Sequence, residues 1–407
     1  MPVPTPACPA ASSARRPGTR RADRPWRRAG PPQSGGPAPR PTRPVYPSVG
    51  LLERRTPRAK AVIVTGSSHA AEEPSLPNVV MWGRALRVIP KIDKNEWDDL
   101  DLVSRWLIAT RSAVLVLTLT SASVAGILAW KAGAFDLLLF LLVTTGLLLA
   151  HATNNLINDL TDSWKGVDRD NYFRTQYGPQ PLEAGLLSVR QVLVYIAATG
   201  LPALAIGIYL VTLRGEGALL LLGAGALFVL FYTFPLKYIG MGEPAVLVVW
   251  GPLMVGGAFY VITGQWSSQV AWASVVYALG PTAVLFGKHI DKLEEDRAKG
   301  IRTMPVLLGE PLSRYTVLGL FAAQLAVLSW LVATGYFTPA VLLALLAAGG
   351  LRRVWSVYRA PRPSEPPADL PDGVWPLYLV AAAFWYTRRF GGLFILGLVA
   401  DAAIARI

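Results

Sequence analysis

The sequence is poor in cysteine, histidine and charge. Cys8 is the only cysteine in 407 residues, which excludes an intrachain disulfide framework and any cysteine-based zinc site. Three histidines, at positions 69, 151 and 289, are too few for a histidine-cluster metal centre. Only 16% of the residues are charged, whereas soluble globular chains carry about 25%. The deficit argues against a water-soluble enzyme.

Basic residues and prolines are concentrated at the N-terminus. Residues 1–80 contain 13 of the 39 Lys and Arg residues, 4 of the 26 acidic residues and 16 of the 33 prolines. Such a segment buries too little apolar surface to offset its ordering entropy. We therefore predict a disordered Pro/Arg-rich tail over 1–80 and a membrane domain over 81–407. Because the positive charge belongs mostly to the tail, the pI of about 9.9 does not indicate a nucleic-acid partner.

Long apolar runs dominate the rest of the chain. A helix needs about 20 mostly apolar residues to cross a hydrocarbon core of about 30 Å, and it satisfies its own backbone hydrogen bonds there. Nine such segments are present: 102–129, 135–157, 189–212, 217–235, 245–263, 271–290, 312–333, 337–352 and 376–400. We predict an all-α polytopic membrane protein of about nine transmembrane helices.

The basic residues of the loops set the predicted orientation. Loops on one side carry many lysines and arginines, whereas those on the other carry only Lys131 and Arg214. Because basic loops stay in the cytoplasm, we predict a multi-pass plasma-membrane protein with a cytoplasmic N-terminus. Arg388 and Arg389 would be costly at mid-membrane, so residues 375–387 are predicted to lie at the interface, with the ninth crossing beginning near residue 390.

Polar side chains gather where the second apolar segment ends. Asn155, Asn158, Asp159 and Asp162 are spaced i, i+3, i+4 and i+7, which places them on one face of a helix. Asp168 follows shortly after. Acids stacked at the end of an apolar helix repel one another unless a cation joins them, although acids merely solvated at a helix exit remain the alternative.

A second acidic group follows the sixth apolar segment, on the same predicted membrane side. Asp291, Glu294 and Glu295 are spaced to share a helix face, and Lys288 comes one turn earlier. Oxygen ligands without cysteine or histidine suit Mg²⁺. We predict that the two acidic groups hold Mg²⁺ together at a cytoplasmic site.

The two groups together indicate a diphosphate substrate. A diphosphate is strongly anionic, so carboxylates alone repel it. Metal ions bound between the carboxylates and the diphosphate attract both. Basic residues that could hold the outer phosphate oxygens are Lys165, Arg169, Lys288, Arg297 and Arg302. An amphiphile would place its diphosphate at the membrane surface and its hydrocarbon tail in the bundle. Its allylic carbocation needs an apolar, aromatic-lined cavity that excludes water.

Several short motifs accompany the acidic groups. They are Lys165-Gly166 between Asp162 and Asp168, Gly178-Pro179, Gly185-Leu186-Leu187-Ser188, Pro235-Leu236-Lys237-Tyr238, Gly242-Glu243, and Gly251-Pro252 before Tyr260. The combination resembles the menaquinone branch of the UbiA-type intramembrane prenyltransferases over roughly residues 98–400. The basic stretch 296–303 also resembles the segment that follows the second Asp-rich motif of that family.

The resemblance implies nine helices around a lipid-open cavity and Mg²⁺-dependent transfer of a polyprenyl group from its diphosphate to an aromatic acceptor. The implied acceptor is 1,4-dihydroxy-2-naphthoate, which would give demethylmenaquinone with loss of the carboxylate. The predicted metal ligands are Asp159, Asp162, Asp168, Asp291 and Glu295, of which Asp159, Asp162 and Asp291 are predicted to be catalytic. The predicted substrate-binding residues are Asn155, Asn158, Lys165, Arg169, Lys288 and Arg302.

Two departures from the family pattern leave alternatives open. The second motif of the family usually has two Asp separated by three residues, but here that spacing from Asp291 ends at Glu295 and Asp296 follows. Glu294, Glu295 and Asp296 therefore all remain candidate ligands. Gln180 stands where the branch commonly has a basic residue. Other acceptors therefore stay possible, namely 4-hydroxybenzoate, homogentisate, a chlorophyll precursor or a glycerol-phosphate lipid.

Alternatives from other functional classes also exist. A divalent-cation transporter would place acids within its helices, but it predicts acids near mid-membrane and internal repeats across the two halves. The acids here lie at one predicted membrane face, and no persuasive repeat is visible. A non-catalytic binder of lipid diphosphates is a further alternative.

Overall fold

A computed structural model describes residues 78–168, 178–368, 370–371 and 374–407. Within these ranges the chain forms helices and no β-strand. The predicted 1–80 tail lies outside them except for its last three residues. The helices are α1 (Val79–Arg87), α2 (Lys94–Asp98), α3 (Leu102–Ala109), α4 (Val116–Lys131), α5 (Leu137–Trp164), α6 (Val189–Arg214), α7 (Glu216–Phe231), α8 (Gly242–Thr263), α9 (Ser268–Asp291), α10 (Leu293–Ala298), α11 (Met304–Leu308), α12 (Glu310–Ala333), α13 (Pro339–Tyr358) and α14 (Tyr378–Ile404).

Each of the nine predicted apolar segments coincides with helix, which confirms the all-α membrane fold. Seven helical segments of the described chain are long and apolar enough to cross a membrane. They are Ser112–Lys131, α5, α6, α8, α9, α12 and α13. The two other predicted crossings are α7, which is shorter at 16 residues, and α14, which carries two arginines near its middle.

The first predicted crossing, 102–129, is not one continuous helix. α3 ends at Ala109, and Arg111 adopts a left-handed backbone with φ of 55°, which is uncommon for a residue other than glycine. α4 begins only after a 3₁₀ turn over Ser112–Val114. The break brings the Arg111 side chain to Asp159 of α5. The apolar run 102–129, which was predicted as one helix, therefore contains a turn that positions a charged side chain.

The ninth predicted crossing is one uninterrupted helix, α14, so no break separates an interfacial segment from a crossing that begins near residue 390. Arg388 and Arg389 are exposed and lie against aromatic rings. The Arg388 guanidinium is 5.7 Å from the ring centroid of Phe384, and that of Arg389 is 4.9 Å from Trp385. Cation–π contacts and long flexible stems accommodate these charges without breaking the helix.

A kink in α8 sets its distance from α9. Pro252 lacks a backbone N–H and interrupts the helical hydrogen bonds, and the middle of α8 has wider π-helical geometry. The carbonyl of Trp250 accepts instead from Ser121 Oγ at 2.9 Å. A Cβ at Gly251 would lie 3.0 Å from the Cβ of Ala278. The glycine therefore allows α8 to pack closely against α9.

α9 is the central helix, and it packs against α8, α12 and α14. Its polar backbone and side-chain groups have partners inside the apolar core. Tyr277 Oη donates to the carbonyl of Leu117 at 3.1 Å, and Gln324 Nε2 donates to the carbonyl of Val276 at 2.7 Å. On another side of the bundle, α5 packs against α6 and α7. The helices α5 to α9 surround a cavity.

Candidate active site

A cavity of about 680 Å³ lies among α5, α6, α7, α8 and α9. Most of its wall consists of aliphatic and small residues, among them Gly146, Ala197, Gly200 and Leu222. Its charged and histidine lining residues are Arg111, His151, Asp162, Asp168, Lys237, Lys288, His289 and Lys292. Most of these belong to the C-terminal ends of α5 and α9 or to the segments that follow α5 and α7. The cavity therefore has an apolar body and one charged end.

The asparagines of the first acidic group are fixed by neighbouring segments. Asn155 Nδ2 donates to the carbonyl of Thr110 at 2.8 Å, and Asn158 Nδ2 donates to Thr233 Oγ1 at 3.0 Å. Both asparagines line the cavity. Because each amide nitrogen is engaged by the protein, the amide oxygen is the atom that each side chain can offer to a ligand.

The two aspartates of α5 form buried ion pairs with residues from other segments. Asp159 accepts from the guanidinium of Arg111. Asp162 accepts from Lys237 Nζ at 2.7 and 2.9 Å. All four side chains are buried, so the pairing offsets the cost of removing these charges from water. Asp162 lines the cavity, whereas Asp159 lies behind Arg111 and does not contribute to the wall.

Asp168, the third predicted aspartate of the first group, is also brought to the cavity, where it is 4% exposed. The adjoining carbonyl of Val167 accepts from Lys299 Nζ, which ties this segment to the region after α10. Lys165 does not line the cavity. Its Nζ lies 3.7 Å from the ring centroid of Phe234. Arg169 lies outside the described residues.

Asp291 is not brought to the cavity. Its carboxylate accepts from the backbone N–H groups of Leu379 and Val380, at 3.0 and 2.9 Å, and from Arg362 Nε at 3.2 Å. These N–H groups belong to the first turn of α14, where the helix supplies no acceptors of its own. Asp291 is 3% exposed and functions here as a cap that joins α9 to α14.

The second acidic group does not share one helix face, because the helix breaks inside it. α9 ends at Asp291 and α10 begins at Leu293, while Lys292 between them has non-helical backbone angles of −116° and 27°. The break changes the direction of the following side chains. Glu294 is exposed and pairs with Arg297, and Glu295 does not line the cavity. The predicted pairing of Asp291 with Glu295 on a common face is therefore not formed.

Asp296 is the acid of the second group that lies near the first group. It is 1% exposed and accepts from Lys292 Nζ at 2.5 Å. Burial, followed by the negative charges of Asp162, Asp296 and Asp168, raises the pKa of Tyr238 to about 12. Because Lys292 lines the cavity, its ion pair with Asp296 brings this carboxylate to the charged end.

α9 and the break that follows it contribute basic residues, rather than acids, to the cavity wall. They are Lys288, His289 and Lys292. His289 is oriented by Glu243, whose Oε1 lies 2.7 Å from its Nδ1, and the backbone N–H of Met304 donates to the other carboxylate oxygen of Glu243. The predicted residue Lys288 thus lies at the charged end, whereas the predicted Arg302 is exposed and does not line the cavity.

Five charged or histidine lining residues were not identified as site residues from the sequence: Arg111, His151, Lys237, His289 and Lys292. The sequence does not indicate a turn at Arg111, because this residue with its left-handed backbone lies inside an apolar run that is typical of an unbroken helix. Lys237 lies within a motif that carries the resemblance, but the motif alone does not reveal its ion pair. Lys292 could have been found by counting four residues back from Asp296, the spacing of the second family motif.

The donor chemistry differs between the two halves of the charged end. The α5 half offers carboxylate and amide oxygens from Asp159, Asp162, Asp168, Asn155 and Asn158, which suit Mg²⁺. The α9 half offers two lysines and one acid that already pairs with a lysine. Across the described ranges, no three His, Cys, Asp or Glu side chains converge as a preformed metal site. At α5, three aspartates stand against two cations, Arg111 and Lys237. At α9, Asp296 alone stands against Lys288 and Lys292. The balance of charge and donor type suits a divalent cation at α5 and does not suit one at α9.

Residues 118–371 match the UbiA prenyltransferase family, which is more than half of the chain. The chain belongs to the UbiA prenyltransferase family. Among curated relatives, UbiA prenyltransferase domain-containing protein 1 of Danio rerio is 30% identical over 246 residues, covering 58% of this chain and 71% of the relative. The 1,4-dihydroxy-2-naphthoate octaprenyltransferase of Escherichia coli K12 is 32% identical over 219 residues, covering 50% and 68%.

A solved UbiA homolog from Aeropyrum pernix K1, in its apo form, aligns with a TM-score of 0.54 and 21% identity, covering 71% of this chain and 98% of that one. This likeness supports the UbiA fold. Family membership confirms the resemblance, the assignment as a prenyltransferase enzyme and the multi-pass membrane architecture. The cation-transporter alternative finds no support in these relatives.

Proposed function

We propose that this UbiA protein transfers a polyprenyl group from its diphosphate to 1,4-dihydroxy-2-naphthoate. The observation that carries the proposal is the shape of the cavity, which is apolar along its body and charged at one end. A prenyl diphosphate has the same division between a hydrocarbon tail and an anionic head. The acceptor is inferred from similarity to the Escherichia coli 1,4-dihydroxy-2-naphthoate octaprenyltransferase.

In this proposal the α5 half of the charged end holds Mg²⁺. Asp162 and Asp168 would supply the carboxylates, with the amide oxygens of Asn155 and Asn158 beside them, and Asp159 would add negative charge from behind Arg111. When bound, Mg²⁺ would supply Lewis-acid stabilisation of the diphosphate. Asp291 and Glu295 are left out of this set, since Asp291 caps α14 and Glu295 does not line the cavity.

The residues of the chain then contribute charge and exclusion of water. The bond between the first prenyl carbon and the diphosphate oxygen breaks, and its electron pair leaves with the diphosphate. The positive charges of Lys237, Lys288 and Lys292 stabilise this developing negative charge, because they are held in a cavity of low polarity. The apolar wall keeps water from the carbocation.

Aromatic rings of the cavity wall suit the other half of the reaction. Trp250 and Tyr232 line the cavity, and His151 stands edge-on to Trp250 with 5.2 Å between ring centroids. Ring faces attract a cation such as the allylic carbocation. The ring carbon that carries the carboxylate forms the new bond to the first prenyl carbon. Its bond to the carboxylate then breaks, carbon dioxide leaves, and the electron pair of that bond restores the aromatic ring.

We further propose that the charged end faces the cytoplasm in the plasma membrane. The support is the bias of basic residues: the loops that join this end carry many lysines and arginines, whereas the opposite loops carry only Lys131 and Arg214. Basic residues remain on the cytoplasmic side during insertion. Labelling of cysteines introduced singly at Lys165 and Arg214 in intact cells would test this, with only the latter expected to react from outside.

The acceptor is tested with the purified full chain in lipid nanodiscs. One isotope-labelled prenyl diphosphate is supplied with each candidate acceptor in turn, and products are identified by mass spectrometry. We expect a demethylmenaquinol from 1,4-dihydroxy-2-naphthoate, with release of one diphosphate and one carbon dioxide; oxygen of the air then oxidises it to the demethylmenaquinone that is detected. A product from 4-hydroxybenzoate, homogentisate, a chlorophyll precursor or a glycerol-phosphate lipid, and none from the naphthoate, would overturn the acceptor and keep the reaction class.

A further inference from the structure

The α9 side of the charged end carries two lysines. Lys288 and Lys292 come from the end of α9 and the break that follows it, and both line the cavity. Lys292 is 8% exposed, and its Nζ lies 2.5 Å from Asp296 Oδ1. A buried lysine paired with a buried aspartate holds a fixed position, so its charge is directed at whatever occupies this end of the cavity.

The spacing of the second family motif identifies what has changed here. The motif has two aspartates separated by three residues, and the buried acid Asp296 fits its second position. The first position is then Lys292. Asp291, one residue earlier, cannot substitute, because its two oxygens are engaged by the first turn of α14 and by Arg362. A lysine therefore stands where the motif has a metal ligand.

This exchange reverses the electrostatics of the α9 half. A divalent cation binds where carboxylates outnumber nearby positive charges. The α5 half has three aspartates against Arg111 and Lys237, whereas the α9 half has only Asp296 against Lys288 and Lys292. A second cation there would be repelled by Lys292 and by Lys288 one turn earlier on α9. Phosphate oxygens would be attracted by the same two lysines, since an ammonium group donates charge-assisted hydrogen bonds to phosphate.

We propose that Lys288 and Lys292 bind the diphosphate directly and take the place of a second metal ion. One divalent cation, at the α5 carboxylates, then completes the site. This inference rests on the proposed function, because it assumes that a prenyl diphosphate occupies the cavity. It assigns the two halves of the charged end different tasks: α5 holds the metal, and α9 holds the phosphate oxygens without one.

The proposal is tested by binding rather than turnover. The probe is a prenyl thiolodiphosphate, in which sulfur replaces the bridging oxygen so that the C–O cleavage step is blocked. Bound Mn²⁺ is counted by electron paramagnetic resonance on the full chain in nanodiscs, with and without the probe. We expect one Mn²⁺ per chain with the probe, and a second one in Lys292→Asp, which restores an acid at the first motif position.

Neutral variants measure the lysine contribution. Lys292→Gln and Lys288→Gln are each expected to weaken binding of the probe about 10-fold or more at saturating Mn²⁺, because each removes a charge-assisted hydrogen bond. Lys292→Arg keeps the charge and should retain most of the affinity. Lys94→Gln, at an exposed site on α2, is the matched control and should bind as the parent does. If Lys292→Gln does not fold because Asp296 is left alone, Lys288→Gln carries the test.

The outcomes distinguish failure of this proposal from failure of the proposed function on which it rests. Two Mn²⁺ per chain in the parent, with probe affinity unchanged in Lys288→Gln, would overturn the lysine assignment and leave the prenyl diphosphate site intact. Failure of the parent chain to bind the probe, with or without Mn²⁺, would instead overturn the proposed function itself.

Discussion

The two acidic groups each lie at the end of an apolar segment, but they take different positions in the protein. The first, on α5, remains in one continuous helix, so its i, i+3, i+4 and i+7 spacing delivers Asn155, Asn158 and Asp162 to a single wall. The second is divided by the break at Lys292. Asp291 accepts hydrogen bonds from the first turn of α14, and Asp296 lies at the charged end of the cavity. Helical spacing predicts a shared face only where the helix continues.

The comparison also separates catalysis from stability. Carboxylates of the first group are held by cations that belong to the site, Arg111 and Lys237. The carboxylate of Asp291 is held by backbone N–H groups of α14. Substitutions in the first group should therefore reduce activity in a folded protein, and substitution of Asp291 should reduce stability with little change in the chemistry.

The largest effect is expected for Asp162→Asn. Loss of this carboxylate removes a metal ligand and leaves Lys237 without its partner, so we expect kcat/KM to fall by at least about 100-fold. Chelation of divalent cations should cause a comparable loss that added Mg²⁺ reverses. The measurement is product formation at matched folded protein, judged by thermal unfolding. Near-normal turnover in this variant or after chelation would contradict a metal site on α5.

Asp291→Ala is expected to produce the opposite pattern. It leaves two N–H groups of α14 and Arg362 without their acceptor, so the free energy of unfolding should fall by about 3 kcal/mol. Turnover per folded molecule should stay within about threefold of the parent. Thermal unfolding followed by circular dichroism, combined with an activity assay on the folded fraction, measures both. A stable Asp291→Ala protein without activity would show that Asp291 belongs to the catalytic site.

A smaller difference in activity is expected between two variants of the second acidic group. Asp296→Asn alters a buried acid that pairs with Lys292, and we expect activity to fall about 10-fold, whereas Glu295→Gln should change it by less than about twofold. The two variants differ by one position and remove the same charge, which makes each the control for the other. Equal losses, or the reverse order, would indicate that Glu295 is the functional acid.

The smallest effect is expected for Glu294→Gln. Its exposed ion pair with Arg297 contributes less than about 1 kcal/mol in water. Neither the melting temperature nor kcat/KM should change measurably. A clear loss of activity would show that the exposed side of α10 takes part in the reaction.

The sequence alone predicted the helices well, because apolar runs of membrane-spanning length have few other solutions. All nine segments coincide with helix, and three of the four residues of the first acidic group, Asn155, Asn158 and Asp162, line the cavity. Two backbone breaks were not predicted. The left-handed turn at Arg111 lies inside an apolar run, and the break at Lys292 lies inside a good helical pattern, so neither leaves a hydrophobicity signal. Tertiary partners, such as Asp159 for Arg111 and α14 for Asp291, determine both sites.

The cationic members of the site were the hardest to predict for the same reason. Lys237 and Lys292 meet acids only after distant segments pack or the helix breaks, and neither event is visible in charge patterning. By contrast, Lys165 and Arg302 looked suitable because they lie near the acids in sequence. The first stacks on Phe234 and the second is exposed, so nearness in sequence did not bring either to the cavity wall.

The most direct measurement is a cryo-electron microscopy map of the full chain with a prenyl thiolodiphosphate and Mn²⁺. We predict the diphosphate at the charged end of the cavity, one metal density beside Asp162, and phosphate oxygens within hydrogen-bonding distance of Lys288 and Lys292. Metal density at Asp291, or a diphosphate bound elsewhere in the bundle, would contradict this assignment of the site.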